Sequence, residues 1–247
     1  MTMHEGHRQR LRARFRREGF ENFAPHEVLE LLLFYTRARG NVNPLAHKLL
    51  ETFGTLKGVL EAPVEQLMAV EGVGEETASL LALTVPLFRR YELCQCEEKR
   101  KLKHYSDVED YCRALLTGLR KERFYVICVS TQMKVLGQRI IAEGDLSEVM
   151  AYPRMVVETA LNQNAYGVIL CHNHPGGEAL PSIGDVDVTR DLEALLAKLG
   201  IGLMDHIIVA DGRTYSMIQH GDYTCSLDRR ELSRRFREDG PEDDLWA

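Results

Sequence analysis

The chain is short of several things, and each shortage narrows the reading. It has no apolar run long enough to cross a bilayer and no apolar leader at its start. That points away from a membrane and toward a cytoplasmic protein. Positive charge is not in excess: 31 Lys and Arg stand against 37 Asp and Glu, a net charge of −6. Wholesale polyanion binding is therefore not expected, and any nucleic-acid contact has to be a local patch. Cys94-Gln95-Cys96 has no second cysteine pair near it, which argues against a structural zinc ribbon. The six cysteines read instead as thiols of a reducing compartment. Cys112, Cys128 and Cys171 sit in apolar surroundings typical of core positions. The H-x-E and P-C-x-x-C patterns of zinc nucleoside deaminases are missing.

What is present is most concentrated in residues 168–185, VILCHNHPGGEALPSIGD. Val168 to Cys171 is an apolar run suited to a buried strand. Side chains alternate along an extended chain, so His172 and His174 face the same side at its end. Pro175-Gly176-Gly177 then opens a loop. Ten residues separate His174 from Asp185, Ser182 lies three before that Asp, and a helix is expected over 186–199. Two His and one Asp are three protein ligands of the kind Zn²⁺ takes, leaving a fourth position open, as in a catalytic site. Ser182 and Asp185 equally fit a helix start, with Ser at the N-cap and an acid at N3. The two readings of Asp185 are compatible.

These residues resemble the JAMM signature of JAB/MPN-domain metallopeptidases. The longer string HNHPGG, then Pro181-Ser182, Asp185 and Thr189, resembles the RadC branch of that superfamily, with Gly176 where Ser is usual. The resemblance implies a zinc metallohydrolase of peptide or isopeptide bonds, with the metal on His172, His174 and Asp185. It also implies a general base: a Glu upstream of the His pair, where a helix gives way to a strand. Glu122 has that place, fifty residues before His172. Glu143, Glu148 and Glu158 are the other candidates. Ser182 takes the remaining role, donating its hydroxyl to the oxygen that becomes negative in the tetrahedral intermediate.

The amino-terminal half reads as helical. Residues 4–20 carry Arg8, Arg10, Arg12, Arg14, Arg16 and Arg17 around a narrow seam of Leu11 and Phe15. This suits either phosphate contacts or a solvated helix docked by its seam. Further helices are expected after Pro25, after Pro44 and over 55–60. Gly72-Val73-Gly74 then forms a turn between two helical stretches, where backbone N–H groups can approach a phosphate. It resembles the helix-hairpin-helix element that binds DNA backbones, and residues 1–92 resemble the amino-terminal region of RadC proteins. Glu75 and Glu76 suit a helix start but would repel DNA. A packing hairpin or a protein contact fits these residues as well.

The expected plan is α+β. An all-α domain (1–92) and a linker (93–104) precede a JAB/MPN-like α-β-α domain with a mixed sheet (105–226) and a charged tail (227–247) whose end carries Leu245-Trp246. In the third of these, a helix over 108–119 leads to a hairpin of FYVICVS and VLGQRIIAEG. A helix from 154, the 166–171 strand, the 186–199 helix and a hairpin over 205–218 follow. Asp205-His206 read as strand residues able to support the metal site from behind. Two further functions compete with hydrolysis: a DNA-repair-related protein acting through the helical domain, and a JAB-fold scaffold for protein partners. The open ligand set argues against the scaffold.

Overall fold

The computed structural model describes residues 3–99, 101–102, 104–144 and 152–225. The chain divides into two compact units, Met1–Phe88 and Arg89–Ala247. Among the described residues no helix is long and apolar enough to cross a membrane. Glu148, the 145–151 segment in which it lies, and the 227–247 tail fall outside the described residues.

The first unit is helical: α1 (Met3–Glu18), α2 (Pro25–Thr36), α3 (Asn43–Phe53), α4 (Leu56–Leu60), α5 (Val64–Met68) and the beginning of α6 (Glu75–Lys99). Pro25 and Pro44 sit in the first turns of α2 and α3, where a missing N–H costs nothing. Leu11, Leu29, Leu49, Leu67 and Leu81, one each from α1, α2, α3, α5 and α6, meet in a separate core. Phe15 lies outside that core; it is 37% exposed and packs on Phe20.

Helix α6 carries the chain on through residues 93–99, which the sequence reads as a linker or solvated helix end. Leu93 and Cys96, one turn apart, pack on the core of the second unit and give this charged segment an apolar face.

The second unit is built on a five-stranded sheet of order β2-β1-β3-β4-β5, with β1 at Arg123–Val129, β2 at Val135–Glu143, β3 at Gly167–Asn173, β4 at Gly202–Ala210 and β5 at Arg213–Ser216. β3 and β4 run parallel and the other neighbours antiparallel, so the sheet is mixed. Helices α7 (Tyr105–Leu116), α8 (Tyr152–Asn162) and α9 (Ile183–Lys198) cover it. Alternation along β4 places the layers. Asp205 faces Tyr105 and Cys112 on the α7 side, and His206 meets Thr189 of α9 on the other. The result is the expected α-β-α sandwich.

Strand ends depart from the apolar pattern. The sequence ends the central strand at Cys171, yet β3 continues through His172 and Asn173. The ladder is the reason: His172 pairs with Phe124 of β1 on one side and Ile208 of β4 on the other. Two flanking strands hold the backbone extended whatever the side chain. β4 likewise begins at Gly202, opposite Gly167. A Cβ at Gly167 would fall 2.9 Å from Met204 Cγ and 3.0 Å from the Gly202 carbonyl oxygen, so this close entry of β3 beside β4 favours glycine.

Candidate metal centre

The site lies at the carboxyl end of β3, between that strand and the start of α9. β3, α9 and β4 form a parallel crossover unit, and the carboxyl ends of such strands are where α/β sheets bind ligands. His172 is held inside the ladder and is fully buried. His174 follows it, with its backbone N–H donating to Val209 O at 2.9 Å. Gly176, at φ +70°, turns the chain back. A Ser in its place would have to adopt the left-handed conformation that glycine takes freely. Ser182 then caps α9. Its Oγ accepts from Asp185 N at 3.1 Å, while Ser182 N and Oγ donate to Asp185 Oδ2 at 2.8 and 2.6 Å. The cap thus fixes Asp185 through Oδ2 and leaves Oδ1 facing His172.

The three side chains converge. His172 Nε2 lies 2.8 Å from His174 Nε2 and 3.3 Å from Asp185 Oδ1, and His174 Nε2 lies 3.7 Å from Asp185 Oδ2. Ligands about 2.0–2.1 Å from a tetrahedral zinc lie roughly 3.3–3.4 Å from one another, and the observed separations bracket that value. The protonation pattern also fits. His174 Nδ1 is 3.1 Å from Glu178 O, which only accepts, so Nδ1 carries the ring proton and Nε2 presents its lone pair inward. Lone pairs and a carboxylate crowded this closely repel unless a cation, proton or metal, sits among them. His172, His174 and Asp185 are the one such donor group among the described residues.

The titration behaviour follows from the same crowding. The Asp185 hydrogen bond raises His174 above the ordinary imidazole value, more than burial lowers it; Glu178 O and the Glu122 charge add to the rise. Burial pushes the Asp185 carboxyl up, but its interactions with His172 and His174 and the Ser182 hydroxyl outweigh it and hold the group far below the carboxylate range.

Of the four acids that the sequence offers as general base, the structure brings Glu122 to the site: its Oε1 is 3.8 Å from His174 Nε2. Glu143 is paired with Arg123 at 2.9 Å and Glu158 with Arg154 at 2.7 Å. The Glu122 loop is clamped by a residue that sequence reasoning passed over. Asn173, between the two histidines and 4% exposed, points away from them. Its Oδ1 accepts from Arg123 N at 2.8 Å, and its Nδ2 donates to Leu119 O at 3.3 Å and Lys121 O at 3.1 Å. The available signal was the alternation that put both imidazoles on one side: it left the middle residue facing the other way.

Behind the site, His206 Nε2 lies 2.8 Å from His172 Nδ1, and Thr189 Oγ1 lies 2.6 Å from His206 Nδ1. Thr189 is one turn along α9 from Asp185, on the same helix face. Phe124 closes the wall, stacked on His172 with ring centroids 5.9 Å apart.

The hairpin of the helical unit is arranged differently. Val73 is buried, and Gly72, at φ +96°, directs its carbonyl to the Arg37 guanidinium. Lys48 pairs with Glu71 at 2.8 Å. On α1, Arg8 donates to Arg37 O at 2.6 Å and Gly40 O at 2.9 Å, and Arg14 is bound to Glu18 and Glu27. Gly72, Val73 and Gly74 therefore sit beside cations engaged with partners inside the protein.

Comparison with known proteins bears on both units. A family model described as a RadC-like JAB domain matches residues 102–222. A UPF0758 protein of Ruegeria pomeroyi is 36% identical over 203 residues, which is 82% of this chain and 91% of the relative. A UPF0758 protein of Carboxydothermus hydrogenoformans is 35% identical over 208 residues, 84% of this chain and 92% of the relative. Both alignments are longer than the JAB stretch and so reach into the helical unit. With a JAB-type sandwich, the paired histidines and relatives aligned along most of its length, the chain belongs to the RadC family of UPF0758 proteins.

Proposed function

We propose that the protein is a zinc-dependent hydrolase of peptide or isopeptide bonds. The observation that carries this is the convergence of His172, His174 and Asp185 with Glu122 beside them. Three inward donors leave one position free, and an acid within reach of that position can move protons. A zinc ion held by His172, His174 and Asp185 would supply Lewis acidity there, polarising a carbonyl and making a water molecule more acidic. Glu122 Oε1 takes a proton from the attacking water and returns it to the leaving nitrogen. Asn173 holds the Glu122 loop in place for both transfers. Ser182 Oγ rests on Asp185 Oδ2 and turns to the oxygen that becomes negative when the carbonyl is attacked. Phe124 and the buried strand ends keep bulk water from the back of the site.

The substrate of this reading is an amide; its identity lies in the loops rather than in the donor set. DNA contact by the helical unit receives less support, because Arg37 and Lys48 beside the Gly72–Gly74 turn already have internal partners.

Zinc content of the protein purified without a His tag tests the proposal. About one zinc per chain is expected, lost in His174→Ala and in Asp185→Ala. A peptide-library screen with Glu122→Gln as control then tests the chemistry. A wild-type protein that neither carries zinc nor takes it up on addition would sink the proposal.

A further inference from the structure

Two buried residues behind the site have no part in the ligand set, and their hydrogen bonds bear on which nitrogen of His172 faces the metal. His206 and Thr189 are both fully buried. The contacts form an unbroken chain: Asp185 O, Thr189 Oγ1, His206 Nδ1, His206 Nε2, His172 Nδ1. It starts on the backbone of one proposed ligand and ends on the ring of another.

The chain has a direction. Thr189 has one hydroxyl proton, and two of its neighbours, Asp185 O and Met217 Sδ, only accept. With the proton given there, the Thr189 oxygen must accept from His206, so the proton of His206 is on Nδ1. His206 is fully buried between Thr189 and His172, neither of them an anion that could pair with an imidazolium, so the ring is neutral and carries no second proton. Its Nε2 is then an acceptor, and His172 must donate from Nδ1. That leaves the lone pair of His172 on Nε2, the nitrogen 3.3 Å from Asp185 Oδ1.

We propose that Thr189 and His206 are positioning residues that fix the tautomer and orientation of His172, so that its Nε2 is preset as a metal donor. The inference rests on the metal reading given above and adds to it a cause for the affinity. Ligating histidines commonly donate their second ring nitrogen to a carboxylate, carbonyl or water. Here the acceptor is another histidine, whose own tautomer is set by a threonine on the helix that supplies the aspartate.

The test needs no substrate. Zinc affinity is measured by competition with a chelator in full-length wild type, His206→Phe, His206→Gln and Thr189→Val, with metal-free melting as the check on folding. His206→Phe keeps the ring volume but removes the acceptor, and Thr189→Val removes the hydroxyl that orients it. Each is expected to weaken zinc binding by about 10–100-fold. His206→Gln places an amide oxygen near the old Nε2 and is expected to recover most of that loss. Visible absorption of the cobalt-substituted proteins should change in the same order, because it reports ligand geometry and not the overall fold. Should His206→Phe fail to fold, Thr189→Val and His206→Gln decide the matter. Wild-type affinity in Thr189→Val, or the same loss in His206→Gln as in the apolar variants, would overturn the positioning role. A wild type that binds no zinc would instead overturn the metal reading beneath it.

Discussion

Glu122, His172, His174 and Asp185 share one small space. Glu122→Gln keeps the shape and the Asn173 clamp but cannot carry a proton. It should retain zinc and lose about 10²–10⁴ in turnover on any peptide that the wild type cleaves; a variant with full turnover would move the base elsewhere. His174 yields a second expectation. Its proton and the metal compete for Nε2, and Asp185 raises its affinity for the proton. Zinc binding should therefore weaken as pH falls into the raised His174 range, and strengthen again above it. Chelator competition at a series of pH values measures this, and an affinity flat across that range would mean that the His174 proton and zinc do not share the nitrogen.

Among the elements, β3 does the most positioning. It aims two imidazoles one way and Asn173 the other, so one strand end holds both donor histidines and the loop that bears Glu122. Asn173→Ala removes the three hydrogen bonds that this nearly buried side chain makes to the backbone of residues 119–123. It should cost about 1–3 kcal/mol of stability and lower turnover while zinc stays bound, because the loop and not the ligand set is released. Zinc loss equal to that of His174→Ala, measured by metal analysis, would contradict this. This division marks where the sequence was legible. His172, His174, Asp185 and the Ser182 cap lie within one short segment, and their spacing is itself the signal. Glu122 is fifty residues away and was reachable through its place between a helix and a strand. The role of Asn173 depends on which loop lies beside β3, and no local pattern encodes that. The ends of β3 and β4 were misjudged for the same reason: pairing on both sides keeps His172 in the ladder, and an apolar run cannot report a polar residue held there. The 93–99 segment reads as a linker or solvated helix end because charge dominates it; what the charge obscured is that Leu93 and Cys96 supply a turn that packs.

At the scale of the whole molecule, one buried acid ties the stability of the second unit to pH. Asp205 on β4 is 3% exposed, and burial raises its carboxyl to about 7, against hydrogen bonds from Ser216 Oγ and the N–H groups of His206 and Ile218. The unfolded chain holds the same group near 3.9. Between those values the folded state binds more protons than the unfolded state, so stability falls as pH rises. The contribution is complete below the unfolded value, declines through the interval and levels off once pH exceeds the folded value. Asp205→Asn keeps an acceptor for the two N–H groups and cannot ionise. Its stability should be flatter with pH than that of wild type, with the gap between the two changing most across that interval. Denaturant unfolding followed at several pH values reads the gap directly. The two units have separate cores, of which Leu29 and Leu49 mark one and Ile127 and Leu170 the other. The pH effect should therefore appear in the transition of the second unit, and zinc should raise that same transition by mass action while leaving the other in place. A wild type and an Asp205→Asn variant with parallel pH curves would show that the carboxyl is no more easily protonated in the fold than outside it.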